Sequence, residues 1–304
     1  MVFRRHSTFL TVAMSVTALM AVAFPAGAQS PAVSPAASAA VGASAPAADP
    51  NDLLALVKQA GILRVSIEPA YPPQSQLMPD GTFQGFNVDV ANEIGKRLGV
   101  TTQFETPTFD AVVAGGWADR WDLSVGSVTI TQPREQLLDF SPPYYYNPAQ
   151  MAATTSSGIT TLDGLAGQVI CVGAATTYFD WINGNLVLAG GVPAPAAVPA
   201  GATATTFATD TDCAAAISGG RNEFAGWLSA SPTIDLSIKS GAPFVTVGDP
   251  VFYEALAAAV DKAGPPHAEF MAALDSIIAD MHTDGTLSTL SKKWFGGLDL
   301  TVAK

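Results

Sequence analysis

Residues 127–146 read SVTITQPREQLLDFSPPYYY and set one arginine, Arg134, between a run of hydroxyl side chains and a proline-flanked run of tyrosines. The preceding residues DLSVG are typical of a strand, and Pro133 suits the first position of a helix formed by PREQLLDF. Such a helix leaves its free N–H groups at the end of the strand. We therefore expect Ser127, Thr129, these N–H groups and Arg134 to converge on one small volume.

Arg134 has two possible roles at such a site. Its guanidinium is a fixed cation with a planar fork that matches a carboxylate, which suits the binding of an acidic ligand. An arginine on a first turn also commonly pairs with neighbouring acids, here Glu135 or Asp139, or with solvent. The spacing alone leaves both interpretations open.

The chain on both sides of this stretch alternates strand-like and helix-like patterns. In residues 61–68, apolar Leu63, Val65 and Ile67 alternate with polar side chains, which indicates a strand. The pattern continues with a helix at 87–99, a strand at 101–106, a weak helix at 110–119 and a strand at 121–130. This order predicts an α/β fold with an open, mainly parallel sheet flanked by helices, which binds ligands beyond the carboxyl ends of its strands.

Composition excludes several classes of function. The 304 residues carry a formal charge of −12, so nucleic acid is not expected as a partner. Mean hydropathy is +0.29, but after residue 24 no segment is apolar over the ~20 residues that a membrane span needs. The length suggests about two domains at roughly 100 to 200 residues each.

The N-terminus has the pattern of an export signal. Residues 1–28 combine a basic start, an apolar run and a small-x-small ending, which predicts a signal peptide cleaved near Ala28. Residues 29–50 are mostly Pro, Ala and Ser and are predicted to form a disordered linker. No cysteine precedes Cys171, so a lipoprotein is not supported. We expect a freely diffusing periplasmic protein.

Six further segments, taken with residues 127–146, carry a resemblance to a known family. In chain order they are GILRVSIEPAYPP, DGTFQGFNVDVANEIGKRLGV, FDAVVAGGWADRWDLSVG, VICVGAATTYFDWI, CAAAISGGRNEF and MHTDGTLSTLSKKWFGG. The ordered set resembles the bacterial extracellular solute-binding proteins of family 3, the polar amino acid receptors of ABC importers. The resemblance runs over residues 61–297.

The resemblance implies an architecture and a partner. Family members have the type II periplasmic-binding-protein fold, with two α/β lobes joined by two crossover strands that close on the ligand by a hinge. It assigns residues 51–143 and 256–304 to lobe 1, and 144–255 to lobe 2. A monomer without a cofactor is expected, and its partners are a small carboxylate ligand and an ABC permease. A C-terminal helix is expected to pack on lobe 1 through Phe270, Leu274, Ile277, Ile278 and Met281.

The resemblance also implies a set of ligand-binding residues. Arg134, with Ser127 and Thr129, is expected to hold the ligand carboxylate. The other implied residues are the flanking aromatic or apolar positions Tyr71 and Phe109, the acid Glu68, and the turn residues Thr176 and Thr177. Ala175 stands where the family has a glycine before this Thr-Thr pair.

One implied position departs from the family. Counting from Gly220 and Arg221, Leu228 falls where the family has an aspartate that binds the α-ammonium of the ligand. Either Glu68, Glu254 or Asp180 replaces it, or the ligand is an organic or keto acid without an ammonium. Trp227, beside it, is either a further aromatic wall or a core residue.

The remaining chemical groups give few alternatives. Cys171 and Cys213 are the only cysteines, and an even count in an exported protein predicts a disulfide, which the family pattern places between a strand and a helix. His267 and His282 are expected on the surface, and no metal site is predicted.

Hydrolase, zinc-protease and NTPase motifs are absent. A lyase remains open, because periplasmic cyclohexadienyl dehydratases resemble this family and use a buried carboxylic acid.

Overall fold

The computed structural model describes residues 48–303. The predicted signal peptide at 1–28 and nearly all of the predicted linker at 29–50 lie outside the described residues. The first helix is preceded by Asp52, whose carboxylate accepts a hydrogen bond of 2.8 Å from the N–H of Leu54. The same carboxylate also accepts bonds from the N–H groups of Glu269 and Phe270, at 3.0 and 3.1 Å. Asp52 therefore caps two helices at once and ties the start of the fold to its C-terminal part.

The helices of the described chain vary in length from a little over one turn to more than four. In chain order they are α1 (Leu53–Ala60), α2 (Phe86–Leu98), α3 (Phe109–Val113), α4 (Thr177–Ile182), α5 (Asp210–Ser218), α6 (Ser231–Lys239), α7 (Ala268–Thr283) and α8 (Thr286–Trp294). Within residues 48–303, no helix combines the length and the apolar sequence that a membrane crossing requires.

The strands form one large sheet and one small sheet. In chain order they are β1 (Ile62–Ser66), β2 (Ala70–Tyr71), β3 (Ser75–Leu77), β4 (Phe83–Gln84), β5 (Thr101–Glu105), β6 (Leu123–Thr129), β7 (Leu138–Phe140), β8 (Tyr145–Thr154), β9 (Val169–Gly173), β10 (Thr203–Phe207), β11 (Gly226–Ala230) and β12 (Phe244–Asp261). Strands β2, β3 and β4 make the small antiparallel sheet.

The large sheet is mixed rather than mainly parallel throughout. Its order is β10-β9-β11-β8-β12-β6-β1-β5, with β7 added beside β12. Strands β5, β1 and β6 are parallel to each other, and so are β10, β9 and β11. The long strands β8 and β12 pair antiparallel with each other. Strand β8 also pairs antiparallel with β11 of one group, and β12 pairs antiparallel with β6 of the other. The α/β class is confirmed, and the antiparallel character comes from the two strands that connect the groups.

The hydrophobic core is divided among several clusters. One cluster combines α1, β1, α2, β6, α7 and α8 with the end of β12, and it contains all five apolar residues predicted for the C-terminal helix. Two other clusters lie within residues 149–252 and 152–244. Tyr144 and Tyr145, predicted in lobe 2, pack in the first cluster, and a small further cluster joins Ala255 of predicted lobe 2 to Ile130 and Ala257 of predicted lobe 1. The lobe boundaries themselves stay a prediction.

Two predicted helices differ from the structure. The segment PREQLLDF forms a 3-10 turn at Arg134–Gln136 and then strand β7, which pairs with β12. Pairing with the neighbouring strand outweighs the weak helical preference of this short segment. The helix predicted at 110–119 is the shorter α3, because Gly115 and Gly116 adopt φ values of 65° and 64° that a helix does not use.

The predicted disulfide is present. Cys171 on β9 and Cys213 on α5 are bonded, with their Cα atoms 5.7 Å apart. Both residues are fully buried in a hydrophobic cluster with Trp227 and Phe244. The bond joins a central strand to the helix that covers it, as the family pattern implies.

Candidate functional site

A cavity lies where β6 and β9 end and where the chain turns into α3, α4 and α5. Its wall contains eight of the nine residues predicted to bind ligand: Glu68, Tyr71, Phe109, Ser127, Thr129, Arg134, Thr176 and Thr177. The other residues that line it are Gly126, Gly173, Ala174, Tyr178, Ala208, Thr209, Asp210, Glu254 and Leu256. Ligand-binding sites of α/β proteins are expected at the carboxyl ends of the strands, where this cavity lies.

Arg134 is a buried cation in this wall. Its Nη1 donates to the carbonyl oxygen of Thr129 at 3.1 Å, and its Nη2 donates to that of Ala175 at 2.9 Å. The guanidinium carbon lies 5.4 Å from the centroid of the Phe109 ring. Within residues 48–303, no acidic side chain forms an ion pair with Arg134. Burial lowers the pKa of Arg134, and the nearby Glu254 opposes that shift.

Within the described chain, neither Glu135 nor Asp139, the acidic neighbours considered as partners, forms an ion pair with Arg134. Asp139 lies 2.8 Å from Nε2 of His267 and 3.4 Å from the Lys262 ammonium. His267 is therefore partly buried between helix and strand, contrary to the surface position expected for it, whereas His282 is exposed. The guanidinium keeps N–H donors that no described side chain takes up.

Glu254 is the most completely hydrogen-bonded acid of the wall. It lies on β12 opposite Asn147 of β8 and is only 2% exposed. Its Oε1 accepts from the hydroxyls of Thr129, at 2.7 Å, and of Thr177. Its Oε2 accepts from Nδ2 of Asn147 at 2.8 Å and from the Tyr178 hydroxyl at 3.0 Å. Each oxygen has two donors, which uses the acceptor capacity of a carboxylate.

Glu68 and Asp210 accept fewer hydrogen bonds from the protein than Glu254 does. Glu68, partly buried beyond the end of β1, has no hydrogen bond or ion pair within residues 48–303. Burial and the charges of Asp210 and Asp212 raise the pKa of Glu68 to about 8. Asp210 accepts one bond on each oxygen, from Gly173 N–H at 2.7 Å and Ser229 Oγ at 3.0 Å. Burial raises the pKa of Asp210 to about 7 in spite of these bonds.

Asp210 and Tyr178 were not identified from the sequence. Asp210 opens α5, directly after Thr209, which forms a capping box with Asp212. That box marks a helix start at the end of a strand and could have indicated this position. Tyr178 follows the predicted Thr-Thr pair, and its hydroxyl lies 3.3 Å from the Tyr71 hydroxyl.

The turn before α4 has an unusual backbone. Ala175, at the position of the family's glycine, has φ 58°, in the left-handed region that favours glycine. The hydroxyl of Thr176 accepts the N–H of Phe179 at 3.3 Å and donates to the carbonyl of Gly173 at 2.8 Å, so it caps the helix. The carbonyl oxygen of Ala175 is not used by this cap, and it accepts the hydrogen bond from Nη2 of Arg134.

Ser127 has the same left-handed conformation, with φ 58° at the end of β6. Its Oγ accepts a hydrogen bond of 2.8 Å from Nδ2 of Asn87 and lies 2.7 Å from the Tyr145 hydroxyl. The hydroxyl is thus held by side chains of α2 and β8 at the edge of the cavity.

Two residues of β11 lie away from the cavity. Trp227 is fully buried and packs on Phe244, with ring centroids 5.3 Å apart. Leu228 is fully buried opposite Met151 in another apolar cluster. Because β11 lies between β8 and β9 with core on both faces, Trp227 is a core residue and not an aromatic wall. Leu228 does not decide the charge of the cavity, and Asp180 does not line it either.

Comparisons with known proteins agree with this architecture. Residues 63–297 match the profile of the bacterial extracellular solute-binding proteins, family 3. The L-cystine-binding protein TcyJ of Escherichia coli (strain K12) is 30% identical over 246 residues, 80% of this chain and 86% of that relative. A mutant of ArgBP from T. maritima superposes with a TM-score of 0.68 at 23% identity, over 80% of this chain and 99% of that one.

A second solved structure has similar overlap. The ancestral amino acid-binding protein AncCDT-1, a precursor of cyclohexadienyl dehydratase, has a TM-score of 0.67 at 24% identity, over 80% of this chain and 99% of that one. At such identities the two structures establish a shared fold and nothing finer. That fold is the type II periplasmic-binding-protein fold expected from the sequence.

Proposed function

The chain belongs to the bacterial extracellular solute-binding proteins of family 3, and we propose that it captures an amino acid in the periplasm and delivers it to an ABC importer. The observation that carries the proposal is Arg134, a buried cation of the cavity wall with unused donors and no acidic partner within residues 48–303. A buried charge of this kind is costly unless a ligand pairs with it. The carboxylate of an amino acid matches its planar fork.

The α-ammonium of the ligand has a candidate partner in Asp210. Each Asp210 oxygen has one donor and one remaining acceptor position, and the residue lines the cavity. Glu254, in contrast, already accepts four bonds from the protein. Asp210 thus supports an amino acid over an organic acid without an ammonium, which stays the alternative.

We propose that the ligand is enclosed by hinge closure between residues 51–143 with 256–304 and residues 144–255. The hinge would be β8 and β12, the strands shared by both groups of the large sheet. Hydrogen bonds between the proposed lobes support a closed arrangement. They join Thr211 Oγ1 to the Ala70 carbonyl at 2.7 Å and Thr233 Oγ1 to Gln74 Oε1 at 3.1 Å.

The proposal is tested by titration calorimetry on the mature chain after denaturation and refolding, which removes any ligand bound during expression. Each of the twenty amino acids and a set of dicarboxylic and keto acids is titrated separately. One or more amino acids should bind with a stoichiometry of one. Binding by the organic acids alone would replace the amino acid with the alternative ligand class, and cystine is included because TcyJ is a cystine-binding protein by name.

A further inference from the structure

The hydroxyl groups around Glu254 have a fixed hydrogen-bond direction. The hydroxyls of Thr129, Thr177 and Tyr178 each donate their single proton to an oxygen of Glu254. Tyr178 then has no proton left for Tyr71, whose hydroxyl lies 3.3 Å away. Tyr71 therefore donates to Tyr178. All four residues line the cavity, but the Tyr178 oxygen also accepts a hydrogen bond of 3.3 Å from Nδ2 of Asn147 and is filled by its protein partners. The hydroxyls of Thr129, Thr177 and Tyr71 can offer only lone pairs towards the cavity. Thr129 therefore cannot donate to a ligand carboxylate, the role that the resemblance implied for it.

The charged side chains of the wall are mostly acidic, so they also favour a ligand with cationic groups. Among the residues that line the cavity, Glu68, Asp210 and Glu254 are acidic and Arg134 is the one basic side chain. Arg134 can bind one carboxylate bidentately. Glu68 and Asp210 keep unused acceptor positions, and buried acids of this kind are stabilised when a cation pairs with them.

We propose that Glu254 sets the hydrogen-bond direction of this cavity, and that the wall of acceptors it creates selects an amino acid with one carboxylate and a second, cationic nitrogen group. The inference rests on the proposed function. Glu254 acts as a positioning residue, because its own oxygens are occupied by protein donors. The acceptors that meet the ligand are the hydroxyl oxygens around it, together with Glu68 and Asp210.

A ligand with two carboxylates fits this wall less well. It would place one carboxylate on Arg134 and the other against oxygen lone pairs, with no second cation among the lining residues. A neutral side chain would leave Glu68 without a partner. The cavity therefore favours a basic amino acid over cystine, over glutamate and over an apolar amino acid of equal length.

Calorimetry with matched ligands tests the preference. Lysine and norleucine share one carbon skeleton and differ in the terminal ammonium. A charged hydrogen bond contributes enough for the parent protein to bind lysine at least about tenfold more tightly than norleucine. Equal affinities, within threefold, would overturn the inference while leaving amino acid binding intact. No binding of any amino acid would contradict the proposed function itself.

The role of Glu254 is tested by Glu254→Gln. The amide nitrogen is a donor, so the hydroxyls that face it lose their acceptor and can donate into the cavity. We expect the ratio of lysine to norleucine affinity to fall at least about fivefold, with glutamate or glutamine binding gained. The charge control is Glu223→Gln, an exposed residue paired with Arg221 that should leave the ratio unchanged. An unchanged ratio in Glu254→Gln would overturn the assignment.

A second variant keeps the test valid if Glu254→Gln fails to fold. Tyr71→Phe removes one acceptor hydroxyl and leaves every donor to Glu254 in place. It should weaken lysine binding more than norleucine binding by a factor of at least about three. An equal loss for both ligands would show that Tyr71 acts through shape alone, and would contradict a wall of selective acceptors.

Discussion

Arg134 and Ala175 meet at the cavity, where Nη2 of the arginine donates a 2.9 Å hydrogen bond to the carbonyl oxygen of the alanine. Ala175 presents this oxygen from a left-handed backbone conformation, with φ 58°. A second bond, to the Thr129 carbonyl, fixes the other Nη of the guanidinium. The arginine is therefore oriented by backbone groups from two proposed lobes, which leaves its charge for a ligand.

Replacing Arg134 with Met should abolish amino acid binding while the fold survives. The variant loses the charge-assisted pair and leaves the ligand carboxylate desolvated, which costs on the order of 3 kcal/mol or more. Calorimetry measures the loss, and circular dichroism checks the fold. Arg221→Met, at an exposed ion pair, is the matched control and should bind normally. An Arg134→Met affinity within threefold of the parent would refute the assigned role.

Ala175→Gly should stabilise the protein by about 1 kcal/mol. The left-handed conformation is unfavourable for alanine, and glycine relieves it at a smaller cost in unfolded-state entropy. The carbonyl that Arg134 uses is retained. The control is Ala174→Gly, at a neighbouring position outside the positive-φ region, which should destabilise by roughly 0.5 kcal/mol. Urea unfolding measures the unfolding free energy of both variants. If both variants were stabilised, or both destabilised, the strain assigned to Ala175 would be contradicted.

Removing the disulfide should destabilise the fold substantially. Cys171 and Cys213 are separated by 42 residues, and closing a loop of this length favours folding by ~4 kcal/mol on the chain-entropy model. The double variant Cys171→Ala with Cys213→Ala should therefore unfold at clearly lower denaturant than the parent. Free thiols are counted on the unreduced, denatured parent protein. Two reactive thiols per chain would disprove the bond.

The ligand-free protein should become less stable as pH rises from about 5 to about 8. The folded-state pKa of Glu68 is raised from its ordinary 4.5 to about 8. In that window folded Glu68 keeps a proton that the unfolded chain has released, so the unfolding free energy decreases as pH increases. Asp210, with its pKa raised to about 7, adds to the same trend. Tyr71 stays neutral, because burial raises its pKa well above its usual value.

Chemical denaturation at pH 5, 6, 7 and 8 measures this slope. Glu68→Gln cannot titrate, so it should show a shallower decrease than the parent. Glu223→Gln, at an exposed site, should keep the parent slope. A parent stability that rises over the window would contradict the account of Glu68.

The residues of the cavity wall were predictable from the sequence where local motifs identify them. The hydroxyl run, Arg134 and the Thr-Thr pair lie at strand ends, where an α/β sheet concentrates its ligand contacts. Their convergence in one cavity follows from that rule and from the family resemblance. The disulfide followed from the cysteine count and the expected periplasmic location.

The remaining parts depend on contacts that no local pattern encodes. The strand β7 exists because β12 pairs with it, and β12 is more than 100 residues further along the chain. Counting along the sequence placed Leu228 in the site, but β11 is a central strand covered on both faces, so its side chains belong to the core. Glu254 gathers donors from β6, β8 and α4, a convergence that only the folded chain reveals.

The most direct test of the central claim is to identify the small molecule that co-purifies with the protein. The protein is denatured, and the released compounds are measured by mass spectrometry beside those from the Arg134→Met variant. We predict that one amino acid is released from the parent in about equimolar amount and is absent from the variant. Release of an organic acid without an amino group, or turnover of prephenate or arogenate by the parent, would contradict the account.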